Sequence, residues 1–162
     1  MYLNGVRRMW KEIILWAHAV FGTLGVLAAV WLFVEVLNIS ETNKIRIRYS
    51  SVMTAVFMWL SFILAGYWYV TWYPADKAII LAGPWKWAHE FFMEVKEHIF
   101  FMILLLGTYL PIAVHTTNPL SDKRVRRMIL VVAALIALLG LLMDGFGAII
   151  IMGVKLGLLP PF

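Results

Sequence analysis

Four long apolar runs dictate what this chain can become. They cover Ile13–Leu37, Ser51–Tyr73, Glu97–Thr116 and Met128–Val154. Each is long enough to cross about 30 Å of hydrocarbon, which takes roughly 20 helical residues. A backbone inside hydrocarbon must satisfy all its N–H and C=O groups internally, so each run is expected to be a helix. The connections are short and no internal repeat or second domain is evident. The expected fold is therefore all-α: one integral membrane domain over residues 1–162, an antiparallel bundle of four transmembrane helices.

Composition agrees. Charged residues make up 14% of the chain, against roughly 25% in soluble domains. There is no cysteine, which excludes disulfides, thiolate metal sites and covalent attachment of a c-type haem. The net charge of +5 is accounted for by basic loops beside a membrane and does not call for nucleic acid. The first run is too long for the apolar core of a secretory signal and lacks a small-residue cleavage site, so it is expected to remain as a span. Orientation follows the loop cations. Lys44, Arg46 and Arg48 share a side with Lys123, Arg124, Arg126 and Arg127, whereas Arg7, Arg8, Lys11, Lys77, Lys86 and Lys155 lie on the other. The dense second cluster places both termini outside, with a prokaryotic plasma membrane as the expected location.

The stretch Pro84–Phe101 leads into the third run, yet it carries His89, Glu90, Glu94, Lys96, Glu97 and His98. Ionisable groups at a bilayer boundary are costly and by default mark a functional site. Counting from the span ends at about 1.5 Å per residue puts His18, His98 and Asp144 at one depth, together with Tyr67 and Trp68. On a helical wheel Lys11, His18, Gly22, Gly25 and Ala29 form one stripe, and Ala133, Ala137, Gly140, Asp144 and Ala148 form another. Small-residue stripes permit close helix contact, so both are expected inward, and glycines beneath a histidine leave room for a flat porphyrin. The third run has two opposed faces, one with Glu94 and His98, the other with His89, Met93 and Lys96. The first is expected inward because His98 lies deeper, while Lys96 reaches the interface on its long stem.

Three readings remain open. In the first, a b-type haem is held between His18 and His98, with Lys11, Lys86 or Lys96 near the propionates. The protein is then a membrane cytochrome exchanging electrons with a quinone or a redox protein, or a haem-dependent oxidoreductase or its subunit. In the second, His18, His98, Glu94 and Asp144 bind a transition-metal ion for transport or storage. That donor set suits zinc, iron or manganese better than Cu(I). In the third, the chain is a structural subunit of a membrane complex, or a homo-oligomer, whose polar groups only pair with one another. His89 and His115 fit that last reading most readily, as does Glu35 paired with Arg46 or Arg48. The loop Pro74–Pro84 carries an apolar patch, Ala78–Ala82, expected to lie on the membrane surface or to cover the bundle as a lid.

Some short pieces occur in a telling order. Trp10-Lys11 leads to His18 in the first run. Arg48 precedes Val52-Met53-Thr54 at the start of the second, which closes on Gly66-Tyr67-Trp68. Lys96 stands at the start of the third. In these pieces the chain resembles the superfamily of copper-resistance D membrane proteins and HemJ-type protoporphyrinogen oxidases. The resemblance implies a four-helix membrane fold in which the first-span histidine, here His18, is a haem ligand or metal-site residue and the third-span lysine, here Lys96, is functionally important. The chain departs from the pattern in two respects. His98 and its acidic neighbours are additional, and Glu35 lies near where a second histidine often follows the first span. Both departures bear on porphyrinogen oxidation more than on haem binding.

Overall fold

The structure, a computed structural model, describes residues 2–160, with side chains from Gly5 onward. It consists of α1 (Tyr2–Leu37), a short 3-10 turn (Glu41–Asn43), α2 (Lys44–Thr71), α3 (Tyr73–Ala82), a π-helical segment (Ala88–Met93), α4 (Glu94–Thr116) and α5 (Lys123–Gly157). There is no strand among the described residues. Four helical stretches, Gly5–Leu37, Glu41–Thr71, Ala88–Thr116 and Lys123–Gly157, are long and apolar enough to cross a membrane.

The helices outrun the apolar segments because their polar ends have local partners. Arg8 pairs with Glu12 one turn along α1 at 3.2 Å. Asp122 caps α5 by accepting the backbone N–H groups of Arg124 at 2.8 Å and Val125 at 3.3 Å, so that helix starts at Lys123 rather than Met128. Side-chain capping of this kind satisfies donors that otherwise have no intrahelical acceptor.

α1 packs against α2 and α5, and α4 packs against the same two helices, so the ring order is α1, α2, α4, α5. One core unites them, through residues such as Leu32, Met58, Ile103, Leu110, Ile129 and Ile136. Small side chains set the spacing. A Cβ on Gly25 would stand 2.9 Å from Met58 Cε, and one on Gly140 would collide with Val26. On α2, Ser50, Ser51 and Thr54 are fully buried. Each returns its hydroxyl to its own helix at 2.8 Å, on Arg46 O, Arg48 O and Ser50 O, which removes the cost of an unpaired polar group. At the far end Asn43 donates to Glu35 O and Glu35 Oε2, both at 2.9 Å. Glu35 takes Arg46 as its ion-pair partner at 2.9 Å, rather than Arg48.

The loop between the second and third spans is a helix that packs over one end. Pro74 sits in the first turn of α3, where its missing N–H costs nothing. Tyr73, Asp76 and Ile80 are buried, and α3 packs on α5 and the π-helical segment. Lys11 fastens it to α1 by an ion pair with Asp76 at 2.8 Å. The backbones nearly touch: a Cβ on Gly157 would lie 2.6 Å from Ile79 O, and one on Gly83 would lie 2.8 Å from Gly157 Cα. Gly157→Ala is therefore expected to push α3 off α5 and to cost about 1–3 kcal/mol, whereas Gly66→Ala, with nothing within 4 Å, is expected to be silent. Maleimide labelling of an Ile80→Cys reporter checks this: labelling accelerates with Gly157→Ala and not with Gly66→Ala.

Candidate functional site

α4 turns inward the face opposite to the expected one. His89 and Met93 are buried, Lys96 points into the protein, and the row continues through Ile103, Gly107, Leu110 and Val114. Glu94 and His98 are exposed, on a row with Phe101, Met102, Leu105 and Ile112. This corrects the inward placement of Glu94 and His98. Depth alone does not oblige His98 to find a partner across the bundle. Its Nδ1 instead reaches Glu94 O of its own helix at 2.7 Å.

His18 is held across the α1–α2 contact. Its Nδ1 lies 3.0 Å from Ser61 O and 2.9 Å from Ser61 Oγ, and Ser61 Oγ lies 3.0 Å from His18 O. A carbonyl only accepts, so Nδ1–H donates to Ser61 O, and the serine hydroxyl donates to His18 O. In the neutral ring Nε2 then keeps its lone pair. Metal-ligating histidines commonly have this second bond to a backbone carbonyl, which fixes tautomer and ring orientation. The glycine row beneath His18 leaves no space for a porphyrin, contrary to the expectation from its spacing. Ser61 and Met58 fill it: a Cβ on Gly22 would stand 3.3 Å from Ser61 Oγ, and Gly25 meets Met58.

The open space lies elsewhere. A cleft with about 1070 Å³ of empty volume, including its mouth, is lined by His18 from α1, Phe62, Gly66, Trp68 and Tyr69 from α2, Met93, Lys96, Glu97 and Phe100 from the third span, and Gly147 and Ile150 from α5. Its cavity volume without the open mouth, about 290 Å³, stands at the lower end of the roughly 300–1,000 Å³ of ligand pockets. Two buried polar atoms in this lining, Trp68 Nε1 and Glu97 Oε1, have no hydrogen-bond partner among the described residues. Such a group costs about 1–3 kcal/mol unless something satisfies it.

A second, smaller cavity is lined by His18, Ser61, Lys96 and Asp144. The structure thus brings together His18, Lys96 and Asp144, although Asp144 remains exposed on its outer side. It does not bring Glu94 or His98 to them, and no group of three or more His, Asp or Glu able to hold a metal ion occurs among the described residues. Lys96 Nζ stands 3.1 Å from where a Cβ on Gly147 would be. None of the ion pairs among the described residues, which join Arg8–Glu12, Lys11–Asp76, Lys44–Glu41 and Arg46–Glu35, includes it. Lys11 lies over the Trp68 ring, 6.0 Å from its centroid, with its charge committed to Asp76.

Depth placed Trp68 at the level of His18, and Glu97 stands among the charges leading into the third run, whereas Gly147 carries no sequence signal. His89, Lys96, Ile103 and Leu110 recur every seven residues on the inward side of the third span. Glu97 flanks this row at the cleft.

No protein-family model, curated protein or solved structure matches this chain.

Ser61→Ala removes the hydroxyl but leaves the carbonyl that His18 donates to. The variant is expected to lose about 0.5–1.5 kcal/mol of stability while His18 stays protonated on Nδ1. Nitrogen-15 NMR of histidine-labelled protein reads this directly; a switch of the proton to Nε2 would show that the hydroxyl, not the carbonyl, sets the tautomer.

Proposed function

We propose that the four long helices cross the bilayer as an antiparallel bundle, with both termini outside a prokaryotic plasma membrane. In this reading the protein binds a b-type haem in the cleft beside His18, for electron transfer or haem-linked redox chemistry with a quinone or a redox protein as partner. The observation that carries it is His18 itself, fixed through Nδ1 by Ser61 in the cleft lining, so that its neutral form has Nε2 as the ligating atom.

The lining suits the group. Phe62, Phe100 and Trp68 offer apolar ring faces to a macrocycle. The unpartnered Trp68 Nε1–H and the Lys96 ammonium are donors for propionate carboxylates. Glu97 Oε1, an acceptor without a donor, suits the hydroxyl of a quinol partner. Bound haem supplies one-electron redox chemistry tuned by its axial ligands and surroundings. The protein's own residues do the rest: Ser61 holds the ligand's tautomer, Lys96 and Trp68 orient carboxylates, and the aromatic walls exclude water. The resemblance to the copper-resistance D and HemJ-type group supports the same reading, because its two functional positions, His18 and Lys96, share this lining.

A detergent-purified, haem-supplied preparation is expected to show a Soret band and a dithionite-induced α-band. His18→Ala should abolish the low-spin spectrum and Lys96→Ala should alter it, while His98→Ala should leave it unchanged, since His98 lies on the opposite face of α4. Absence of any haem spectrum from the wild-type protein would sink the reading. A spectrum lost with His98→Ala would show that α4 turns in the protein to present its other face.

A further inference from the structure

His89 and Tyr73 form a buried pair that the haem-binding residues do not use. Tyr73 opens α3 and is 1% exposed; His89 sits in the π-helical segment and is 5% exposed. The phenol oxygen meets His89 Nδ1 at 3.0 Å. The Tyr73 ring stacks on Tyr69 with centroids 5.1 Å apart and planes at 21°, and it lies 5.6 Å from Trp68. Trp68 and Tyr69 both line the cleft. A continuous aromatic contact therefore runs from the cleft to a phenol whose proton already has an acceptor in place.

We infer that Tyr73 and His89 are a proton-coupled redox relay, which discharges one-electron oxidising equivalents from the cleft. This rests on the haem reading. The oxidant is a peroxide, which bound haem would activate in the cleft. The Tyr73 O–H bond breaks, one electron passes through Tyr69 or Trp68 to that oxidant, and the proton moves along the existing hydrogen bond to Nδ1. The products are a neutral tyrosyl radical and a His89 imidazolium, with one electron delivered to the peroxide-derived oxidant. The step uses the His89 tautomer that carries hydrogen on Nε2 and a lone pair on Nδ1. Without a base in reach, oxidation would leave a phenol cation in a site with little water, which is costly. Burial, then the neighbouring Tyr69, Glu97, Asp76 and Glu94, hold the Tyr73 hydroxyl well above its ordinary range. The O–H bond is therefore intact at neutral pH, and the proton is present to be transferred.

The test uses haem-loaded protein, verified by its Soret band, mixed with hydrogen peroxide, freeze-quenched and read by electron paramagnetic resonance. The expected signal is a tyrosyl radical whose hyperfine splitting narrows in protein grown on ring-deuterated tyrosine. It disappears in Tyr73→Phe and persists in Tyr67→Phe. In His89→Gln the radical should form roughly a hundredfold more slowly, the size of a general-base contribution, and wild-type formation should slow in D2O. A radical that survives Tyr73→Phe, no radical at all, or a His89→Gln rate equal to wild type overturns the relay. If His89→Gln does not fold, the wild-type solvent isotope effect decides, and equal rates in H2O and D2O overturn it. If the protein takes up no haem, the haem reading fails separately. The pair is then tested in the haem-free protein by flash oxidation with a lipophilic ruthenium polypyridyl, where a Tyr73-dependent radical sustains the pair and its absence overturns it.

Discussion

The close approach of α1 to α2 is what the site depends on. In a bilayer, lipid is as apolar as a leucine side chain, so helices associate through packing and interhelical hydrogen bonds rather than through burial from water. Here Gly22 and Gly25 leave room for Ser61 and Met58. Ser50, Ser51 and Thr54 keep α2 thin while turning their hydroxyls back onto its own backbone. Ser61 alone turns its hydroxyl to the neighbouring helix, and its carbonyl takes the His18 Nδ1 proton. The orientation of His18 is thus a consequence of interhelical distance, and a side chain one methyl larger at Gly25 would disturb both.

How much of this was legible follows from what each signal measures. Apolar run length gave four helices capable of spanning, and small-residue spacing on the first run marked the contact that α1 makes with α2. Run length understated the helices, because Asp122 and the Arg8–Glu12 pair extend them through polar sequence. The inward face of α4 was not legible from polarity. Its exposed row, with Phe101, Met102, Leu105 and Ile112, is as apolar as its buried row, with Ile103, Leu110 and Val114. When both sides of a helix are equally apolar, hydrophobicity cannot choose between them. His98, satisfied by its own backbone, had no need of the interior.

Two other features were hidden for a different reason. The patch Ala78–Ala82 is visible as apolar, but its docking depends on Gly83 and Ile79 meeting Gly157, residues distant in sequence. The π-helical segment Ala88–Met93 has no local signature that a 3.6-residue period detects. Such segments are uncommon and frequently occur at functional sites. This one carries His89, which with His115 fits a structural reading most readily, and brings it to the Tyr73 hydroxyl.

Of the three lysines considered for contact with an anionic group, Lys11 and Lys96 differ in what already holds them. Lys11 is neutralised by Asp76 at 2.8 Å, and that pair fastens α3 over the end of the protein. Diverting it to a ligand would release the cover. Lys96 shares a cavity with Asp144 and a cleft with Glu97, yet no carboxylate lies within ion-pair distance among the described residues. Lys96 thus stands in the lining that also holds His18, and none of the ion pairs that fasten the fold among the described residues depends on it.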